Sequence, residues 1–137
     1  MVRVPRKARR DKGLLQILAI VGGGALGALG RFWMAGGVYR LLGRELPWGT
    51  LIVNILGSFL MGLLFVLFME RSTVGSELRA GVLVGFLGAF TTFSTFSMET
   101  LALIESGYPG RALLNVMLSV LVCLAACWAG LLLGRWL

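Results

Sequence analysis

The chain has 137 residues, 58% of them apolar and 14% charged, no His and a net charge of +7; its mean hydropathy is +0.89. These values lie outside the range of soluble domains and predict an integral membrane protein. They leave no room for a separate base-reading domain, and the absence of a His base, a phosphate-binding glycine loop and a nucleophile elbow excludes the common enzyme classes.

Residues 1–13 form a basic leader holding Arg3, Arg6, Lys7, Arg9, Arg10 and Lys12, six of the thirteen basic residues. Beside a membrane span such a segment sets orientation or touches anionic lipid, so no nucleic-acid partner is expected. Its charge and low complexity predict a mobile segment. The apolar run that follows is about 17 residues long before Arg31, longer than a signal-peptide core, which predicts a retained anchor.

Spanning about 30 Å of hydrocarbon takes roughly 20 helical residues. Four runs qualify, at about Leu14 to Val38, Pro47 to Met69, Ala80 to Ile104 and Arg111 to Leu133. They are too long and too poorly alternating for barrel strands. The predicted fold is therefore all-α, with four transmembrane helices per subunit in a single domain, residues 14–137. Connectors are marked by Arg40 to Leu46 before Pro47, by Ser72, Gly75 and Ser76, and by Glu105 to Gly110 with Pro109.

Within the first run, Gly22-Gly23-Gly24-Ala25-Leu26-Gly27 imitates a dinucleotide fingerprint but follows no strand, so packing is the reading adopted. Gly23 and Gly27, Gly81 and Gly85, and Ala126 with Gly130 and Gly134 repeat at four-residue spacing, which permits close helix contact in lipid. Four thin helices closing tightly leave little internal space, so oligomerisation is expected. Arg31 in the first run and Glu99 in the third are the charges at membrane depth; each is costly unless paired or watered. Arg31 suits a vestibule, and Glu99 suits a structural or local pairing.

The second run carries Thr50, Asn54 and Ser58 along one helical stripe, and the fourth carries Asn115 and Ser119, continuing into Cys123 and Cys127. Two cysteines without His make no ordinary zinc site and read as small packing residues. The third run is interrupted by Thr91-Thr92-Phe93-Ser94-Thr95-Phe96-Ser97. Lipid offers no hydrogen bonds, so this polar stretch requires protein, water or an ion. Amides and hydroxyls donate, and the rings of Phe93 and Phe96, three apart, have positive edges; together they suit an anion better than a cation. Each residue taken alone reads first as interhelical packing, and it is their combination that points to a polar track.

Four spans put both termini on one face. That face carries nine basic residues, the leader six plus Arg71, Arg79 and Arg135, against Arg40, Arg44 and Arg111 opposite. Cytoplasmic termini follow from the positive-inside rule. Without the leader the count is three against three, which predicts a core able to insert both ways and pair head to tail.

Three motifs combine: Gly27-Ala28-Leu29-Gly30-Arg31-Phe32, Gly49-Thr50-Leu51-Ile52-Val53-Asn54-Ile55-Leu56-Gly57-Ser58, and Gly85-Phe86-Leu87-Gly88-Ala89-Phe90 leading into the Thr91 to Ser97 stretch. From about Gly22 to Leu133 the chain closely resembles the Fluc (CrcB) fluoride channels of microorganisms. The resemblance implies passive export of fluoride across the plasma or inner membrane and an antiparallel, dual-topology homodimer whose third helix breaks near its middle. It also implies that Asn54, Phe93 and Phe96 face the pore, with Thr50, Ser94, Thr95 and Ser119 as further donors. A structural sodium ion, not transported, is implied at the backbone carbonyls of Gly88 and Thr91. The principal alternative is a small proton-coupled multidrug exporter, which resembles this chain in size. Such exporters use an acid embedded in the first helix, where this chain has Arg31.

Overall fold

A computed structural model describes residues 6–71 and 74–137, so Arg3 of the leader and Ser72 of the second connector lie outside the described residues. Every regular element among the described residues is helical. Helix α1 (Arg6–Leu42) starts inside the basic leader, so the change in composition near Gly13 is not a helix boundary. Helix α2 (Trp48–Phe65) runs on into a π-helical turn, Val66–Arg71. The third span is segmented: α3 (Ser76–Arg79), a π-helical stretch Ala80–Leu87, α4 (Gly88–Phe90) and, after two extended residues, α5 (Phe93–Glu105). Helix α6 (Pro109–Trp136) closes the bundle.

Four stretches are long and apolar enough to cross a membrane: Asp11–Leu42, Trp48–Glu70, Ser76–Glu105 and Pro109–Trp136. At 1.5 Å per residue even the shortest, 23 residues, covers a hydrocarbon core of about 30 Å. Large apolar side chains cover the outside, Phe32, Trp33 and Trp128 among them, as a lipid-facing surface requires. The helix ends follow local chemistry. Gly43 (φ 77°) and Gly107 (φ 83°) take left-handed conformations that stop α1 and α5. At Gly107 the backbone N–H groups of Gly107 and Tyr108 donate to Ile104 and Leu103 (3.0 and 2.8 Å), and Pro109 at once opens α6.

Packing is dominated by α2 along α6 and by α1 along Ala80–Leu87. Glycines set both pairings. A Cβ at Gly23 would fall on the carbonyl of Gly81, and one at Gly27 on the carbonyl of Phe86. Gly81 and Phe86 are five residues apart, one π-helical turn, so the widened helix presents both carbonyls to glycines four apart on α1. On the other side Gly62 meets the carbonyl of Cys127, and Gly130 that of Phe59. Apolar burial drives little association between helices in lipid, so this backbone proximity and the dispersion it allows hold the bundle.

A cleft at the interruption of the third span

The interruption begins where α4 ends. Thr91 (φ −77°, ψ 158°) and Thr92 (φ −153°, ψ 117°) are extended, and Phe93 restarts the helix. Thr92 is the N-cap: its Oγ1 accepts from the Thr95 N–H (3.2 Å), which satisfies one of the free donors of the new helix. Its backbone is clamped by Asn54 from 38 residues away. The Thr92 N–H donates to Asn54 Oδ1 (2.8 Å), and Asn54 Nδ2 donates to the Thr92 carbonyl (3.0 Å). One primary amide thus replaces the helical hydrogen bond that the Thr92 N–H gives up and adds a bond to the Thr92 carbonyl, and the second hydrogen of Nδ2 stays available.

Three further hydroxyls fold back on the backbone of the same span. Thr91 Oγ1 donates to the Leu87 carbonyl (3.0 Å), Ser97 Oγ to Phe93 (2.9 Å) and Thr100 Oγ1 to Phe96 (2.7 Å). Asn115, almost fully buried, then donates to Thr100 Oγ1 (2.8 Å) and ties α6 to α5.

A cleft of about 440 Å³ opens beside the interruption. Asn54 and Ser58 enter it from α2, Phe93 and Phe96 from α5, and Ser119, Cys123 and Cys127 from α6, with Thr91 and Thr92 at the break. The two phenylalanine rings lie 5.2 Å apart at 45°. Phe96 is 8% exposed and packed; Phe93 is 77% exposed, its ring standing at the open side.

Four of the predicted pore residues, Asn54, Phe93, Phe96 and Ser119, therefore share one cleft, together with Thr91, Ser58, Cys123 and Cys127. The remaining predicted residues lie elsewhere. Ser94 and Thr95 are exposed on the first turn of α5, engaged with the Thr92 hydroxyl (3.3 and 2.9 Å). Gly88 is exposed on α4, and Arg31 is half-buried on α1 and lines neither this cleft nor the second one below.

Thr50 is buried in a second constellation. The Tyr39 hydroxyl sits 3.3 Å from Thr50 Oγ1 and donates to Glu99 Oε1 at 2.6 Å. Glu99 Oε2 is buried without a hydrogen-bond partner among the described residues. Tyr39 and Glu99 line a cleft of about 380 Å³ at the end of the bundle, with Arg44, Glu45, Tyr108 and Arg111. Arg111 pairs with Glu45 (3.4 Å) and covers the Tyr108 ring (4.8 Å), while Arg44 covers the Tyr39 ring (5.2 Å). The α2 stripe connects the two places: Thr50 bonds into the end cleft, and Asn54 and Ser58 stand in the cleft at the interruption.

Sequence reasoning missed Tyr39 and Thr92. The unpartnered acid at Glu99 was the available signal for Tyr39, since a carboxylate at that depth needs a donor. Tyr39→Phe removes that donor. It is expected to lower stability by about 1.5–3 kcal/mol, the range for a hydrogen bond to a charged group. Thermal unfolding in detergent reads this as a lower midpoint; an unchanged midpoint would show that water replaces the hydroxyl without loss.

Comparison with known proteins places this architecture. The family model described as "CrcB-like protein, Camphor Resistance (CrcB)" matches residues 18–131. A relative from Magnetococcus marinus is 56% identical over 121 residues, covering 88% of this chain and 98% of its own length. One from Geobacter sulfurreducens is 51% identical, covering 87% and 96% respectively. One from Methylococcus capsulatus is 59% identical over 88% of this chain, which spans only about half (53%) of that longer relative. All three carry the name "Fluoride-specific ion channel FluC". With the match covering most of its length and reaching into all four spans, this multi-pass membrane protein belongs to the CrcB family.

Proposed function

We propose that the chain forms a channel through which fluoride leaves the cytoplasm passively. The observation that carries this reading is the convergence of Asn54, Phe93, Phe96 and Ser119 on one cleft, with the Thr50, Asn54 and Ser58 stripe leading to it from the arginine-flanked cleft at the bundle end. Fluoride is small and strongly hydrated, so a path must return hydrogen bonds as water is lost. The free hydrogen of Asn54 Nδ2, the hydroxyls of Ser58 and Ser119 and the ring edges of Phe93 and Phe96 supply donors at successive depths. Several weak sites serve conduction better than one tight site. Hydrogen fluoride crosses lipid as a neutral acid and dissociates at cytoplasmic pH, so a passive anion path in a cell with a negative interior runs outward. The relatives named as fluoride-specific ion channels support the same reading.

The assembly belongs to this proposal. The cleft is open where Phe93 is exposed, and a second, oppositely inserted copy would close it. The third span functions as one helix broken at Thr91 and Thr92. A sodium ion at the dimer centre would be held by the carbonyls of Gly88 and Thr91. In a continuous helix these would accept from the N–H groups of Thr92 and Thr95, which turn instead to Asn54 Oδ1 and Thr92 Oγ1. Carbonyls released in this way suit a hard cation, and Gly88 lies on the exposed side. Such an ion neutralises the break and adds positive potential.

Purified protein in liposomes tests the function. Fluoride efflux well above chloride efflux, unaffected by collapsing a proton gradient, is expected. Strict dependence on the gradient would transfer the assignment to a proton-coupled exporter, and equal chloride flux would remove fluoride selectivity. Preparing the protein without sodium is expected to lower both flux and dimer recovery.

A further inference from the structure

We propose that the cleft at the interruption also holds a soft monovalent d10 metal ion, of the Cu⁺ class, between the sulfurs of Cys123, Cys127 and Met61, and that this ion closes the cleft to anions. Both thiols and the thioether line the same cleft. Cys123 and Cys127 are four apart on α6, and therefore on one face, and both are free and half-buried. Met61 comes from the facing helix, next to Gly62, whose backbone packs directly on the Cys127 carbonyl, so Met61 and Cys127 stand at one level of the α2–α6 crossing. Among the described residues no three His, Cys, Asp or Glu side chains could hold a metal. Zinc-like borderline ions thus lack their usual side-chain set among the described residues, whereas thiol and thioether sulfur selects soft ions.

Charge favours the same choice. A monovalent ion that displaces one thiol proton forms one metal–thiolate bond, and the second thiol and the thioether coordinate as neutral donors. One S–H bond breaks, one proton leaves to water, and no atom changes oxidation state. The site stays neutral, as apolar surroundings demand. Ser58 stands beside Cys123 and can donate to its sulfur. The three sulfurs line the same cleft as Asn54, Phe96 and Ser119, about one to two helical turns further along α2 and α6, so a metal held there narrows the cleft that an anion would cross.

Ag⁺ is the redox-inert probe, used in chloride-free buffer on the purified full-length chain. Titration with mass-spectrometric metal analysis is expected to give one Ag⁺ per chain with one proton released, and one equivalent is expected to protect both thiols from N-ethylmaleimide. Cys123→Ser and Cys127→Ser are each expected to weaken binding more than tenfold, and Met61→Leu less. Two Ag⁺ per chain, or protection of only one thiol per equivalent in the unaltered protein, would overturn the shared site without requiring any variant to fold. The blocking step rests on the fluoride-channel reading. Efflux of the unaltered protein is expected to fall more than tenfold on Ag⁺ addition and recover with excess dithiothreitol, each variant being compared with its own metal-free rate. Unchanged efflux with Ag⁺ bound would overturn the block. Absence of efflux without metal would overturn the channel reading, while metal stoichiometry and thiol protection decide the site independently.

Discussion

Asn54→Asp is expected to reduce fluoride efflux by at least two orders of magnitude. The amide does two jobs at once, accepting from the Thr92 N–H at 2.8 Å and donating to the Thr92 carbonyl at 3.0 Å. Aspartate keeps the first and loses the second, so a carboxylate oxygen faces a carbonyl oxygen, and the lost hydrogen bond costs about 0.5–1.5 kcal/mol. The charge adds a larger penalty for the anion. Two like charges about 4 Å apart at an effective dielectric of about 20 repel by about 4 kcal/mol, and each 1.4 kcal/mol is about tenfold. Asn54→Ala separates the effects, because it loses both hydrogen bonds without adding charge. The expected order of efflux is unaltered protein, then Ala, then Asp. If Asp conducted as the unaltered protein does, Asn54 would have no place in the anion path. If Ala fell as far as Asp, its contribution would be to hold the break open and not to face the ion.

That double role explains what the sequence could and could not convey. Four apolar runs and their connectors predict the four spans closely, because span length and helix termination are local properties. The polar stretch after Phe90 likewise marks the place where α4 gives way to α5, since hydroxyls at that depth must be satisfied. Which side chain satisfies them is not local. Asn54 lies 38 residues from Thr92, and Tyr39 lies 60 from Glu99, so only the packing of α2 and α1 against the third span reveals either pair. The contacts of Ser94 and Thr95 with the Thr92 hydroxyl depend on the N-cap at Thr92, which residue types alone do not convey. The π-helical stretch Ala80–Leu87 has no periodic signature of its own. It arises where two carbonyls of a widened helix face glycines of α1, a contact that exists only once the helices meet. That Met61 lines one cleft with Cys123 and Cys127 is likewise visible only once α2 lies along α6.

The largest loss of stability is expected at the α2–α6 crossing, from a substitution that ordinarily helps a helix. Gly→Ala in an unobstructed helical position gains up to about 1 kcal/mol from propensity. Gly13, with open space around it on α1, is expected to follow that rule, so Gly13→Ala leaves the unfolding midpoint equal or slightly raised. At Gly62 the added methyl falls on the carbonyl of Cys127 and crowds the Leu131 N–H at 3.0 Å. These are backbone atoms of a continuous helix and cannot rotate aside, so the helices must separate. Overpacking costs about 1–3 kcal/mol, occasionally more, and the close approach also forfeits weak Cα–H···O contacts worth about 0.5–1 kcal/mol each. The net sign is therefore opposite at the two glycines, which parallel thermal unfolding in detergent checks directly. An unchanged midpoint for Gly62→Ala would mean that close backbone approach is not what holds α2 to α6. The same displacement reaches the cleft, because α2 carries Asn54 and Ser58 while α6 carries Ser119. Separating them moves donors apart by a fraction of the ångström scale on which hydrogen bonds weaken. Gly62→Ala protein that still folds is therefore expected to discriminate fluoride from chloride less well, even though residue 62 contributes no side chain to the cleft.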